Sequence, residues 1–154
     1  MNNRCYFVVV ISLVLIVTIF SYCNKNDNVA EEFINTFNLD IDSDKLKIST
    51  IYNDYGGVPY EGQALYKLEG IEEIELENED WLELPLTAEL SEFLYKDNDG
   101  VSVAKKINFP EIEEGKWCFV DRGKTDFTNP SAYNFSLCLY DEVNNIFYYY
   151  KIDT

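Results

Sequence analysis

The segments KWCFV (residues 116–120), YNFSLCLY (133–140) and IFYYYKI (146–152) carry the clearest structural pattern in the chain. Each alternates apolar and other side chains, which is typical of β-strands because successive side chains point to opposite faces. The last two are joined by residues 141–145, a loop of hairpin length. These segments therefore predict a three-stranded antiparallel meander.

One register of this meander satisfies two requirements together. Pairing Cys118 with Cys138 also places Trp117 opposite Leu139, so the cysteines and the apolar side chains indicate the same register. In the last two strands, a register that pairs odd with even residue numbers brings the two apolar faces together. The cysteines then lie on the reverse face. The expected buried face consists of Trp117, Phe119, Phe135, Leu137, Leu139, Tyr148 and Tyr150.

Amphipathic helices and further strands lie upstream. Residues 29–37 (VAEEFINTF) have apolar side chains at helical spacing after an N-cap at Asn28. The remaining expectations are strands at 46–52 and 63–68, a short helix at 70–78, an extended segment at 81–86, a helix at 88–95 capped by Thr87, and a short strand at 101–104. Residues 24–154 are thus predicted to form one α+β domain, an antiparallel sheet of about five strands with two or three helices on one face.

The first 23 residues differ from the rest, because no charged residue lies between Arg4 and Lys25. At about 1.5 Å per residue, a helix over residues 5–23 would measure roughly 28 Å, close to the thickness of a bilayer's hydrocarbon core. Arg4 precedes this run and an acidic domain follows it. The positive-inside rule therefore predicts a cytoplasmic N-terminus at the cell membrane, with residues 24–154 extracytoplasmic.

Three interpretations of residues 1–23 remain open. The run is an uncleaved single-span anchor, a lipoprotein signal with Cys23 as the lipidated residue, or an ordinary cleaved signal. Tyr22 is bulky where lipoprotein signals carry Gly or Ala, and the run lacks the small residues of an ordinary cleavage site. We favour the transmembrane anchor, and either of the first two interpretations tethers the domain to the membrane.

The cysteines of the meander predict a disulfide. Directly opposite residues in antiparallel strands have Cα atoms about 4.5–5.5 Å apart, within the range that a disulfide tolerates. Closing the loop of about 21 residues between Cys118 and Cys138 would contribute roughly 3 kcal/mol. An extracytoplasmic location permits the oxidation. The alternative is two unpaired cysteines on this face.

Composition limits the partners. The chain has 28 acidic and 12 basic residues and a formal net charge of -16. Nucleic acid is an unsuitable partner, since its binding requires Lys and Arg at phosphates. The negative field attracts basic proteins or cations, unless the acidity serves only solubility. The chain has no histidine, the commonest general base and transition-metal ligand.

The acidic clusters carry no specific chemical signature. Residues 40–44 (DIDSD) begin like a calcium loop, but Lys45 occupies the glycine position and Ile51 the position of the bidentate glutamate. Residues 97–100 (DNDG) are typical of a turn. Residues 72–80 are rich in glutamate, yet their spacing selects no catalytic pair. We therefore predict no catalytic, cofactor-binding or metal-binding residue.

The aromatic side chains of the last hairpin suggest a contact surface. Tyr140, Phe147 and Tyr149 share the face opposite the predicted core, although they could instead cover a second packed layer. The leading hypothesis is a non-enzymatic binding or assembly module at the cell surface, with a basic or cell-surface protein as partner. The alternative is a small carboxylate-dependent hydrolase acting on envelope material. Such a hydrolase requires two carboxylates in a concave pocket, one with a raised pKa.

Five pieces of the chain, taken in order, resemble a group of small anchored or secreted proteins from Gram-positive bacteria that have no assigned activity. The pieces are residues 54–57 (DYGG), 81–86 (WLELPL), 115–122 (GKWCFVDR), 134–141 (NFSLCLYD) and 148–154 (YYYKIDT). Members of that group carry histidine near the glycine pair, where this chain has Tyr55 and Tyr60. The resemblance therefore implies an anchored domain and carries over neither a metal site nor a function.

Overall fold

The computed structural model describes residues 28–56, 61–71, 74, 76, 79–97 and 100–154. Its centre is one antiparallel sheet of six strands in the order β1-β2-β6-β5-β4-β3. The strands are β1 (Lys47–Asn53), β2 (Gly62–Glu69), β3 (Leu82–Glu83), β4 (Gly115–Asp121), β5 (Asn134–Asp141) and β6 (Ile146–Asp153). The predicted α+β class is confirmed, and the two-residue β3 is the strand beyond the expected number.

Three α-helices accompany the sheet. They are α1 (residues 28–37), α2 (Ala88–Tyr95) and α3 (Val103–Ile107), with short 3-10 turns at Ser43–Lys45 and Pro130–Ala132. The Thr87 side chain accepts a hydrogen bond from the backbone N–H of Leu90 at 3.3 Å, which confirms the predicted cap of α2. Asn28, the predicted N-cap of α1, lies within the helix instead, so this prediction is wrong.

The short strand predicted at residues 101–104 is wrong, because the chain forms α3 there. The Ser102 side chain accepts from the backbone N–H of Lys105 at 3.2 Å and begins this helix, which ends at Asn108 in the left-handed conformation. Ala104 and Ile107 are buried with the i, i+3 spacing of a helix face. A window of four residues is too short to distinguish this spacing from alternation.

The short helix predicted at residues 70–78 is also wrong where the structure describes it. Ile71, Ile74 and Leu76 have irregular backbone, and residues 72, 73, 75, 77 and 78 lie outside the described part. Side chains from elsewhere satisfy two carbonyl groups: Asn145 donates to Ile71, and Lys116 donates to Leu76 at 3.2 Å. Apolar side chains here are buried without a helical ladder.

The predicted register of the meander is confirmed. β4 and β5 pair Cys118 with Cys138 and Trp117 with Leu139. β5 and β6 pair odd with even positions, as in Leu137 with Tyr150. Most of the predicted core face is fully buried, with Phe119 and Tyr148 partly so. Alternation excludes a slip of one residue, which would expose this entire face, and the cysteine pair selects the register among those that remain.

The helices lie on both faces of the sheet, so the prediction of helices on one face is wrong. α1 packs with Phe33 and Phe37 on the face that contains the cysteines. α2 and α3 cover the other face, which contains Trp117 and Tyr150. The physical reason is that both faces of the central strand β6 are apolar, and each must be covered.

The two ends of the sheet are named by the parts of β6 that lie at them. At the hairpin end, β5 and β6 are joined and Asp141 pairs with Ile146. At the C-terminal end, β6 finishes beside the start of β2, where Gly62 pairs with Asp153. Glu32 of α1 contacts Lys151 of β6, so this part of α1 lies at the C-terminal end.

Among the described residues, no helix is both long enough and apolar enough to cross a membrane. The anchor predicted for residues 1–23, including Cys23, lies outside the described residues.

Candidate functional site

The predicted aromatic contact surface lies inside the protein. Phe147 and Tyr149 are fully buried, because Phe33 of α1 packs on both with ring centroids 5.5 and 5.6 Å away. Tyr140 is half-buried and stacks on Phe147 at 4.4 Å. The contact-surface prediction is therefore wrong, and the alternative of a second packed layer is confirmed, with α1 as that layer.

Cys118 and Cys138 face each other beneath α1 as buried free cysteines. Burial, with a smaller contribution from Asp80, raises the pKa of Cys118 to about 11. Burial also raises the pKa of Cys138 well above its ordinary value. Protonated thiols are weak nucleophiles, so these cysteines are poorly suited to thiol catalysis at neutral pH. The disulfide stays a prediction, for which the register supplies directly opposite positions.

Several side-chain contacts meet at the C-terminal end of the sheet. A cleft of about 520 Å³ opens there, between the loop after β1 and the end of β6. Its lining residues are Asp54, Glu61, Gly62, Gln63, Ser131, Ile152, Asp153 and Thr154. Three carboxylates thus line one concave surface, which is the first requirement of the carboxylate-dependent hydrolase.

Asp54 is held as a carboxylate by its neighbours. Its oxygens accept hydrogen bonds from the Gln63 backbone N–H at 2.6 Å and from the Tyr52 hydroxyl at 2.9 Å. Burial alone would raise the pKa of Asp54, but these hydrogen bonds outweigh it and the pKa is lowered. A general acid requires the opposite direction, so Asp54 is unsuited to that role.

Asp153, the second carboxylate of the cleft, is occupied by partners from this chain. Arg122 donates to it at 2.6 Å and also donates to the backbone carbonyl of Ile152 at 3.2 Å. The Tyr55 hydroxyl donates to the same carboxylate. Burial, and then this hydrogen bond, raise the pKa of Tyr55. These contacts hold the loop after β1 against the end of β6, so they stabilise the fold.

The segment that begins like a calcium loop contains a 3-10 turn. Residues 43–45 form a 3-10 turn in which the Asp42 side chain accepts from the backbone N–H of Asp44 at 3.1 Å. In the part of the chain that the structure describes, no group of three or more acidic or sulfur-bearing side chains is placed to hold a metal ion. Of the predicted turn at residues 97–100, positions 98 and 99 lie outside that part.

The hairpin end is rich in exposed acidic side chains. A cleft of about 850 Å³ lies there between residues 40–47 and the turn that joins β5 to β6. The described acidic residues at this end are Asp40, Asp42, Asp44, Glu69, Glu83, Glu111, Glu113, Glu114, Asp141 and Glu142; all are exposed except Glu69, which is half-buried, and Asp141, which is buried. The lysines there are Lys45, Lys47, Lys67 and Lys116. Lys67 is paired with Glu69 at 2.9 Å. The described acidic residues outnumber the lysines, so this end has an excess of negative charge.

A smaller groove with an apolar floor opens on the α2 face near the same end. Its cavity volume is about 300 Å³. The segment after β3 supplies Leu84, Pro85 and Leu86, and β5 supplies Leu139. The segment before β4 supplies Ile112 between two glutamates, Glu111 and Glu113. Sequence reasoning identified residues 81–86 as extended but missed the groove, because the two segments that form it meet only in the folded chain.

Comparison with known proteins adds no relative: no family model matches the chain, and searches of curated proteins and of solved structures found no match. The resemblance to the group of small anchored or secreted proteins from Gram-positive bacteria therefore stays a prediction from the sequence.

Proposed function

We propose that this protein is a membrane-anchored, extracytoplasmic binding or assembly module, and that its hairpin end binds a basic protein. The proposal rests on two features that lie at opposite ends of the sheet. α1, which continues from the predicted anchor, begins at the C-terminal end of the sheet, where Glu32 contacts Lys151. The far side of the domain is the hairpin end, where the described acidic residues outnumber the lysines.

The length of the connection supports this orientation. Only residues 24–27 separate the predicted anchor from α1, and an extended chain covers at most about 3.6 Å per residue, or roughly 14 Å in all. The eight residues of β6 span about 26 Å between the two ends of the sheet. The anchor therefore holds the C-terminal end near the membrane, and the hairpin end faces away from it.

Charge supports the class of partner. A negative surface accelerates the encounter with a positively charged protein and disfavours like-charged partners. With a formal net charge of -16, the chain opposes binding to nucleic acid and to anionic surface polymers. A basic protein at the cell surface fits both the location and the field.

The alternative, a carboxylate-dependent hydrolase, has less support. Its best location is the cleft at the C-terminal end. There the pKa of Asp54 is lowered and Asp153 is paired with Arg122. Those contacts stabilise the fold. A pair of carboxyl groups that catalyses glycoside hydrolysis requires the opposite, namely a raised pKa on one of the two.

The anchor and the orientation can be tested on intact cells stripped of their wall. External protease should digest the domain, and protection of the domain would contradict the orientation. Labelled palmitate distinguishes the two tethers. If Cys23 is lipidated, Cys23→Ala abolishes the label and the mature chain begins at residue 23. If the segment is a span, as we expect, the chain keeps Met1 and the substitution has no effect.

The partner can be tested by crosslinking in the same cells, followed by mass spectrometry. We expect a protein with more Lys and Arg than Asp and Glu, and we expect salt to reduce its yield because exposed charges are screened. Recovery of no protein under several conditions, or of an acidic protein whose yield is insensitive to salt, would contradict the proposal.

A further inference from the structure

We propose that the groove on the α2 face, lined by Leu84, Leu86 and Ile112, is a docking site for a protein segment with an apolar side chain between basic residues. This inference rests on the proposed function and names the part of the hairpin end that recognises the partner. The groove is formed where the chain after β3 passes the chain before β4, close to the backbone hydrogen bond from Leu84 to Gly115 at 3.0 Å.

The floor of the groove is apolar and structurally fixed. Leu139 is 1% exposed and belongs to the core beneath α2 and α3. Leu84, Leu86 and Ile112 are partly buried against that core, so each presents one side to the cavity. The Tyr95 hydroxyl donates to the carbonyl of Pro110 at 3.3 Å and joins α2 to the segment that carries Ile112. These contacts join the walls of the cavity to the core and to α2.

The rim of the groove is acidic. Glu111 and Glu113 flank Ile112 and are exposed, and no basic side chain is among the described residues that line the cavity. Lys116, in β4, donates to the carbonyl of Leu76 and lies 3.6 Å from Glu83. An apolar floor beside the exposed carboxylates of Glu111 and Glu113 is complementary to an apolar side chain between cationic ones.

The volume and the charge of the groove indicate which kind of molecule binds in it. A volume of about 300 Å³ is at the lower limit for small-molecule sites and suits one or two side chains. A second copy of this chain would bring another -16 of formal charge to the acidic rim, which disfavours it. Anionic lipid is disfavoured for the same reason. A basic protein segment is the occupant that the floor and the rim both favour.

The test uses the full-length protein in nanodiscs of phosphatidylcholine, with empty nanodiscs as the blank. The probe is a fluorescent peptide with a central leucine flanked by lysines, and fluorescence anisotropy measures its binding. One comparison peptide has serine in place of the leucine, and another has glutamates in place of the lysines. The test variant combines Glu111→Lys with Glu113→Lys. The matched control combines Glu31→Lys with Glu61→Lys, which are exposed and lie toward the C-terminal end.

We expect the leucine–lysine peptide to bind about tenfold more tightly than either comparison peptide, since it buries an apolar side chain beside opposite charge. The Glu111→Lys/Glu113→Lys variant should lose about tenfold in affinity, and Leu86→Ser should remove the preference for leucine over serine. The control should change the affinity less than threefold, about the effect of total charge alone.

Other outcomes separate the two proposals. If both lysine peptides bind equally and both double variants weaken them equally, general charge attraction explains the binding; the proposed function then stands and the groove is not the site. If neither lysine peptide binds, recognition of a basic partner fails together with the groove. If the glutamate peptide binds as well as the lysine peptide, the acidic rim has no role and the inference is wrong.

Discussion

Glu32 of α1 holds Lys151 of β6 with both of its carboxylate oxygens, at 2.7 and 2.8 Å from the ammonium nitrogen. The buried hydroxyl of Tyr149 donates to the same carboxylate at 3.0 Å. The Lys151 ammonium also lies 5.2 Å from the ring centroid of Tyr55. One carboxylate therefore joins α1 to β6 at the C-terminal end of the sheet.

Replacing Glu32 with alanine should destabilise the domain by about 1–3 kcal/mol, because it leaves the Tyr149 hydroxyl and the Lys151 ammonium without their acceptor. The measurement is urea unfolding of the full-length protein in detergent, followed by the fluorescence of the buried tryptophans Trp81 and Trp117. Glu31→Ala is the control, since Glu31 is exposed on the same helix and should change stability by less than about 0.5 kcal/mol. Equal effects of the two substitutions would show that the Glu32 contacts contribute no stability.

Gly115 should tolerate no larger residue. It begins β4 with a φ of +148°, and a Cβ built there would lie 1.9 Å from the carbonyl oxygen of Tyr140. Gly115→Ala should cost about 2 kcal/mol or more, because both the backbone conformation and the clash oppose it. Gly56→Ala is the comparison, as its nearest contact would be an ordinary 3.7 Å. If the alanine at position 115 leaves the unfolding midpoint unchanged, the close approach of β4 to β5 is incorrect.

The stability contributed by Asp54 should depend on pH. Its folded pKa is lowered, so its contribution is present above the unfolded pKa of about 3.9 and is lost as the pH falls through the folded value. The destabilisation caused by Asp54→Asn should therefore be largest near neutral pH and shrink below about pH 4. Unfolding midpoints measured across this range test it, with Asp97→Asn at an exposed position as the control. A destabilisation that grows on acidification would refute the assignment.

Cys118 and Cys138 should be oxidised in protein recovered from its native compartment. Mass spectrometry without reductant should find the pair lighter by two hydrogens than the reduced protein, since the register places the residues directly opposite each other. After reduction, alkylation of Cys118 in the folded state should be slow at neutral pH and accelerate as the pH approaches about 11. Two thiols in the native protein would contradict the disulfide.

The strand register could be predicted from the sequence because two requirements selected the same pairing. Alternation assigns Trp117 and Leu139 to one face and excludes a slip of one residue, and pairing Cys118 with Cys138 then selects the register among those that remain. The helix over residues 28–37 was also recognisable, from apolar side chains at helical spacing. Local patterns were sufficient wherever one face of an element is buried.

The layer arrangement was not predictable from any one segment. β6 carries Phe147 and Tyr149 on one face and Tyr150 on the other, a pattern that indicates a strand covered on both sides. Which helix covers which face depends on connections that leave no local trace. The groove was missed for a related reason: Leu86 and Ile112 are distant in the chain and meet only through the packing of β3, α2 and β4.

The most direct test of the central claim, that the hairpin end binds a basic protein away from the membrane, is photo-crosslinking in intact cells stripped of their wall. A photoreactive p-benzoylphenylalanine replaces either Glu142, exposed at the hairpin end, or Glu61, exposed at the C-terminal end. We predict that the probe at position 142 captures a protein rich in Lys and Arg, and that the probe at position 61 does not. Capture of the same protein at position 61 with none at position 142, or capture at neither position, would contradict the account.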